Sequence, residues 1–323
     1  MPRSRKAKWA ALLAVSAVAV AQAGIGSTFG AFAAQTTAAG NSISAMPDWR
    51  GPTVSPIAIG KNTGNATGAI LPGAQYRVYA NVTDVGTPPS GTASVTADVS
   101  AVTAGQTAAP LTAGSYTAGG VSYNYRSAVL TATTVANGTY AFTVTATDAA
   151  TNVTNANGSV AIDSTAPAPT NIAASGGTAS RLEVGDTLTL TTNDILDTFT
   201  ILAGWDGAAT TVQVRLNNNN GGDRLEIRDS AGGTVLPFGT INLGRNDYIA
   251  AAGGGLATFP ASTMTQSGST ITVVLGGTVT GNPTTAAGTG TMVWTPSATA
   301  RDRAGNAMST AAFNEPAPLD RDF

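Results

Sequence analysis

The chain has 323 residues, enough for two ordinary domains behind an exported leader, and a formal charge of −2. It contains no cysteine and no histidine, so disulfides, thiolate nucleophiles, and the commonest general base and metal ligand are all excluded. Only 11% of residues are charged and 6% aromatic, so a core has to be assembled from small and β-branched side chains, which points to many thin strands. The chain opens with Arg3, Arg5, Lys6 and Lys8, followed by an apolar run from Trp9 to Ala21 that is short for a membrane span. This order reads as a secretory signal peptide, with Ala21-Gln22-Ala23 as one small-x-small cleavage site. Its removal would leave twelve basic against eighteen acidic residues, an acidic surface that argues against nucleic acid as a partner.

The residues that follow, Gly26-Ser-Thr28-Phe29-Gly-Ala31-Phe32 and Asn41-Ser-Ile43-Ser-Ala45, resemble the leader region of camelysin-type and biofilm-fibre proteins. The resemblance moves the expected cut from Ala23 to near Gly30. It also implies that residues 31–47 form an extended segment able to donate a strand to a neighbouring copy, in self-association. The competing reading of the segment is a flexible tether.

Asp48-Trp-Arg-Gly-Pro52 and Asp163-Ser-Thr-Ala-Pro167 share an Asp-x-x-x-Pro frame and read as two domain starts. Between them Tyr76, Val78, Ala80 and Val82 fall on every second position, as do Ala93, Val95, Ala97 and Val99, and then Tyr140, Phe142, Val144 and Ala146. Period-two alternation places each set on one face of a strand. Further strands are expected at 53–59, 121–125, 127–132 and 159–163, giving seven short strands between Gly, Pro and Asn turns, the pattern of a β-sandwich. Gly60-Lys61-Asn62-Thr-Gly64, which holds the one lysine after the leader, reads as a loop. Tyr116, Tyr123 and Tyr125 form the one aromatic cluster of this region; they either stack on sugar rings or share a sheet face, Tyr123 with Tyr125.

In the second region, Thr211–Leu216 and Leu225–Arg228 flank a polar tip and read as a hairpin, and Met264–Leu275 reads as another turning at Ser267-Gly268. Trp205, Phe238, Phe259 and Trp294 supply the bulk that this alanine-rich region otherwise lacks.

Gly138-Thr-Tyr140 through Asp148-Ala-Ala150-Thr-Asn152, and the looser copy Gly290-Thr-Met292 through Asp302-Arg-Ala304-Gly-Asn306, resemble the late strand and following hairpin of bacterial immunoglobulin-like domains. Glu183-Val-Gly185-Asp186-Thr-Leu188-Thr-Leu190 resembles the opening of the S-layer type of that domain; Thr192-Asn-Asp194-Ile-Leu-Asp197 stands where the family has Phe-Ser-Glu-Pro. The expected fold is therefore all-β: two tandem immunoglobulin-like β-sandwiches, 48–165 and 166–323, after a signal peptide (1–30) and an extended segment (31–47). The resemblance also implies a tyrosine corner, in which the Tyr140 hydroxyl bonds upstream backbone.

The expected role is structural or adhesive, outside the cell, with cell-envelope or matrix components as partners, polysaccharide among them. No catalytic residue is expected. The serines have no histidine to serve them, no Ser-x-x-Lys spacing follows the leader, and Glu183, Glu226 and Glu315 lie in no recognisable motif. Calcium is the one cofactor considered, because hard oxygen ligands suit it. Its candidate ligands are Asp148, Asn152 and Asp163, converging near the domain boundary, and Asp302 with Asn306 at the far end. The competing reading of Asp-x-Ala-x-Asn is turn chemistry.

Overall fold

A computed structural model describes residues 48–323 apart from 65, 135, 251–254 and 321–322. The signal peptide, its cleavage site and the segment 31–47 lie outside the described residues. The fold is all-β, sandwich-type, with two sheets and a single four-residue helix among the described residues.

The first sheet comprises β1 (Thr53–Lys61), β2 (Ala69–Ile70), β3 (Gln75–Thr83), β4 (Thr92–Asp98), β5 (Ala109–Ala118), β6 (Val121–Ser127), β7 (Leu130–Thr131), β8 (Gly138–Asp148) and β9 (Val153–Ile162), in the order β1-β3-β6-β5-β4-β8-β9-β2, with β7 beside β3. Strand β5 joins two layers: its first residues, Ala109 and Pro110, pair with β4, and Leu111–Ala118 pair with β6. The expected alternation holds in β8, where Phe142, Val144 and Ala146 are buried and Thr143, Thr145 and Thr147 face outward. The hydroxyls of Thr143 and Thr145 donate to Asn157 and Asn155 across the β8–β9 ladder. Facing this row, Tyr76, Val78, Ala80 and Val82 of β3 close a core with Ile59, Val95, Ala97, Val160 and Ile162. Tyr76 is fully buried, and its hydroxyl meets Thr103 at 2.6 Å, so the polar tip is satisfied inside the core.

The second sheet runs β10-β11-β16-β15-β12-β13-β14-β17-β18. Its strands are β10 (Pro169–Ser175), β11 (Thr187–Thr192), β12 (Thr210–Asn217), β13 (Arg224–Arg228), β14 (Thr240–Asn242), β15 (Leu256–Ser267), β16 (Thr270–Val274), β17 (Val293–Thr295) and β18 (Phe313–Asn314). The helix, α1 (Thr198–Ile201), is capped by Asp197, whose carboxylate accepts from the Phe199 amide. Both expected hairpins form, β12–β13 and β15–β16. Trp205, Phe238, Phe259 and Trp294 all enter one buried cluster with Leu188, Leu190 and Val214. Both indoles are satisfied: Trp294 donates to the Phe238 carbonyl at 2.7 Å and Trp205 to the Ala208 carbonyl at 2.6 Å.

Two local expectations change. Tyr123 and Tyr125 do not share a face: Tyr125 packs on the main core, while Tyr123 joins Tyr79, Ala118 and Tyr116 in a satellite cluster. The reason is a break in the β3–β6 ladder, which pairs only Tyr79 with Arg126 and Ala80 with Tyr125. Beyond it the Asn124 side chain takes the place of the backbone, accepting from the Val82 amide at 2.9 Å and donating to its carbonyl at 2.7 Å. Tyr123 is 5% exposed, so its ring has no free face for a sugar. Lys61, in turn, lies not in a loop but at the end of β1, paired with Tyr76.

Two aspartate clusters as candidate metal centres

Three carboxylates meet where the chain enters the first sheet: Asp48, Asp84 just beyond β3, and Asp148 at the end of β8. One oxygen of each lies within 4.8 Å of the others. The Asp148–Asn152 turn closes on its own aspartate, since Asp148 accepts from the Asn152 backbone amide and side-chain amide, both at 2.8 Å. The same side-chain amide reaches the Asp48 carbonyl at 3.2 Å. Asp48 is buried and accepts from the Arg50 amide at 3.0 Å and from the Ser90 amide and hydroxyl at 3.1 and 3.0 Å. These donors, the Arg50 amide foremost, hold its carboxyl below the ordinary aspartate range. Gly86 backs the group, because a Cβ there would lie 2.2 Å from the Asp48 carboxylate.

A second trio forms where the chain passes from one sheet to the other: Asp163, Asp194 and Asp302, again with oxygens within 4.8 Å. Asp302 accepts from the Gly305 amide at 2.6 Å and from both nitrogens of Asn306 at 2.8 Å. The Asn306 side chain also reaches the Asp163 carbonyl at 3.1 Å. The turn needs its glycine, since Gly305 has φ +110°. Burial raises the pKa of Asp194, and the nearby Asp163 and Asp302 carboxylates push it the same way.

The two trios are one arrangement written twice, with Asp48 answering Asp163, Asp84 answering Asp194, Asp148 answering Asp302 and Asn152 answering Asn306. The expected grouping was different, and so were its places: Asp148 and Asn152 lie where the chain enters the first sheet and not at the boundary, while Asp302 and Asn306 lie at the boundary and not at the far end. Asp163 does not converge with Asp148 and Asn152, because the ten-residue strand β9 lies between them and spans roughly 33 Å. It meets Asp302 and Asn306 instead. Asp84 and Asp194 escaped the sequence reading as partners; each comes within two residues of a strand that ends on threonine, Val82-Thr83-Asp84 and Thr192-Asn193-Asp194, a signal visible only when the two regions are aligned. In chemical terms each cluster offers hard oxygen donors at close range, the set a divalent cation such as Ca²⁺ takes.

One open cleft, about 560 Å³, is lined by Thr200, Leu202, Asp229, Val235, Pro237 and Thr299, among others. Asp229 is its one carboxylate, and that group accepts from the Gly233 and Thr234 amides of its own turn. The cleft thus holds no pair of facing carboxyls for glycoside hydrolysis. None of the described helices is long and apolar enough to cross a membrane.

The chain matches no protein-family profile and no curated protein.

Proposed function

We propose that this is a secreted, non-catalytic protein with a structural or adhesive role at the cell surface or in the extracellular matrix, built from two tandem immunoglobulin-like modules. The observation that carries the reading is the duplicated clamp. A segment beginning with aspartate enters each sheet and is tied by its carbonyl to the asparagine of a late Asp-to-Asn turn, at 3.2 Å in one case and 3.1 Å in the other. A connection written twice in one chain is the mark of a module made to be strung in series, as surface and matrix proteins are. Sedimentation with isolated cell envelopes and binding to a glycan array test the reading. Retention on envelopes or on matrix polysaccharide is the expected result. A chain that binds neither and remains monomeric contradicts it.

A second, compatible reading is that the clusters bind calcium. It is favoured by the charge balance of the sites, because none of the six carboxylates pairs with lysine or arginine among the described residues. A cation that binds only the folded chain raises its unfolding temperature by mass action. The expected result is a rise in melting temperature with millimolar Ca²⁺, reversed by chelator and reduced by Asp84→Asn and by Asp194→Asn. Identical melting curves with Ca²⁺ and with chelator would leave the clusters as turn chemistry alone.

A further inference from the structure

Lys61 is the only lysine after residue 8, and it is spent on the seam between the two sheets. It stands at the end of β1 in the first, yet its ammonium lies 2.9 Å from the carboxylate of Asp197, the cap of α1 in the second. Side-chain exposure is 12% for the lysine and 4% for the aspartate, so the pair is withdrawn from water and poorly screened by salt. Its aliphatic stem runs over the Asp302–Asn306 turn, where a Cβ on Gly305 would sit 3.8 Å from Lys61 Cδ and 3.5 Å from Leu71 Cδ1. From the same turn Arg303 reaches back and donates to the Thr67 carbonyl at 2.7 Å. Two loops of the second half therefore grip both ends of the β1-to-β2 connection of the first, one through a charge pair and one through a charged donor on backbone.

We propose that Lys61 and Asp197, seconded by Arg303 on Thr67, form a latch that fixes the angle between the two halves and makes the chain one stiff body instead of two beads on a Pro-rich link. The connection from 163 to 169 is itself bonded on both sides, to Asn137 of the first half through Ser164 and Thr165 and to Asn193 and Ser309 of the second through Ala168 and Pro167, and the latch adds a tie away from that single crossing. A desolvated pair suits the task because its loss is not neutral: removing one member strands the other, buried and uncompensated. The division of labour at Asp197 supports the assignment, since one carboxylate oxygen caps the helix and the other receives the lysine.

The test uses the full chain. Lys61→Met removes the charge while keeping an aliphatic stem, and Asp197→Asn keeps an oxygen for the helix cap while removing the negative charge. Proteinase K cleavage within residues 163–169 and the distance distribution from small-angle scattering report the seam directly. The expected result is a several-fold rise in cleavage and a broadened distribution in either variant, no further rise when the two are combined, and substantial recovery in Lys61→Arg. A measurement without mutation accompanies it: the latched amine should be acylated many-fold more slowly than the side chain of a lysine amide under the same conditions. Native cleavage and scattering in both variants, or acylation of Lys61 at the rate of the free amine, overturns the latch.

Discussion

Tyr140 illustrates how far a single residue can be read. Its hydroxyl donates to the Ala136 carbonyl at 3.0 Å, four residues upstream, as the resemblance to immunoglobulin-like domains implied. The ring packs partly on the main core while the bond itself lies near solvent, so water competes for it. Tyr140→Phe is therefore expected to lower stability by about 0.5 kcal/mol, the lower end of the range for one net hydrogen bond. Urea denaturation reads this as a shift in midpoint at constant slope; an unchanged midpoint would mean that the bond has no net value. The candidate ligands were legible to the same degree. Asp148, Asn152, Asp302 and Asn306 could be found because they recur at fixed spacing in two copies, whereas Asp84 and Asp194 sit alone in their loops and gain meaning only through convergence in space.

Strands with one clean apolar face were legible, and strands whose two faces look alike were not. Strand β8 shows its alternation in plain sequence, and so does β3. Strand β5 went unseen because Ala109-Pro-Leu-Thr-Ala-Gly-Ser-Tyr-Thr-Ala118 has proline and glycine within it and no run of alternating apolar residues; the structure reconciles this with a register shift between Ala113 and Tyr116. Only the last residues of β9 were foreseen, since Asn155 and Asn157 look like turn residues until their oxygens are seen to accept from the threonines of β8. In the second sheet, irregular connections are tied down by buried carboxylates as well as by buried apolar residues such as Leu182 and Tyr248. Asp186 accepts from the Gly177 and Glu183 amides, and Asp223 from the Asn219 and Tyr248 amides; both side chains are fully buried.

Burial raises the pKa of Asp186 and of Asp223 above the ordinary aspartate value. A carboxyl whose folded pKa is raised binds its proton more tightly in the folded chain, so its contribution is fully present below the unfolded pKa, near 3.9. That contribution is lost as pH climbs through the raised folded value. The melting temperature is therefore expected to fall as pH rises through the window immediately above the ordinary carboxylate range. Asp223→Asn should lower stability overall, because one of the two amides loses its acceptor, while flattening that slope; the Asp186 and Asp194 shares remain. A slope unaltered in Asp223→Asn would show that the titration lies elsewhere.

For the molecule as a whole, the fold class was readable from composition and alternation alone, since a chain poor in charge and rich in threonine, alanine and glycine has few ways other than sheet to bury itself. What composition could not show is how the two sheets meet. Asp163-Ser-Thr-Ala-Pro167 read only as a domain start, and only the folded chain places Lys61 on Asp197 and Asn306 on Asp163. Each sheet nonetheless closes around its own buried cluster, one centred on Tyr76 and Phe142, the other on Phe259 and Trp294. The modular account requires those clusters to be self-sufficient, with the seam adding stiffness but not the fold. Calorimetry of residues 48–323 beside the separate fragments 48–165 and 166–323 measures this most directly. The account predicts a cooperative transition in each fragment, lying within a few degrees of its counterpart in the whole chain. Fragments that show no cooperative transition, beside a whole chain that melts in one, would contradict it.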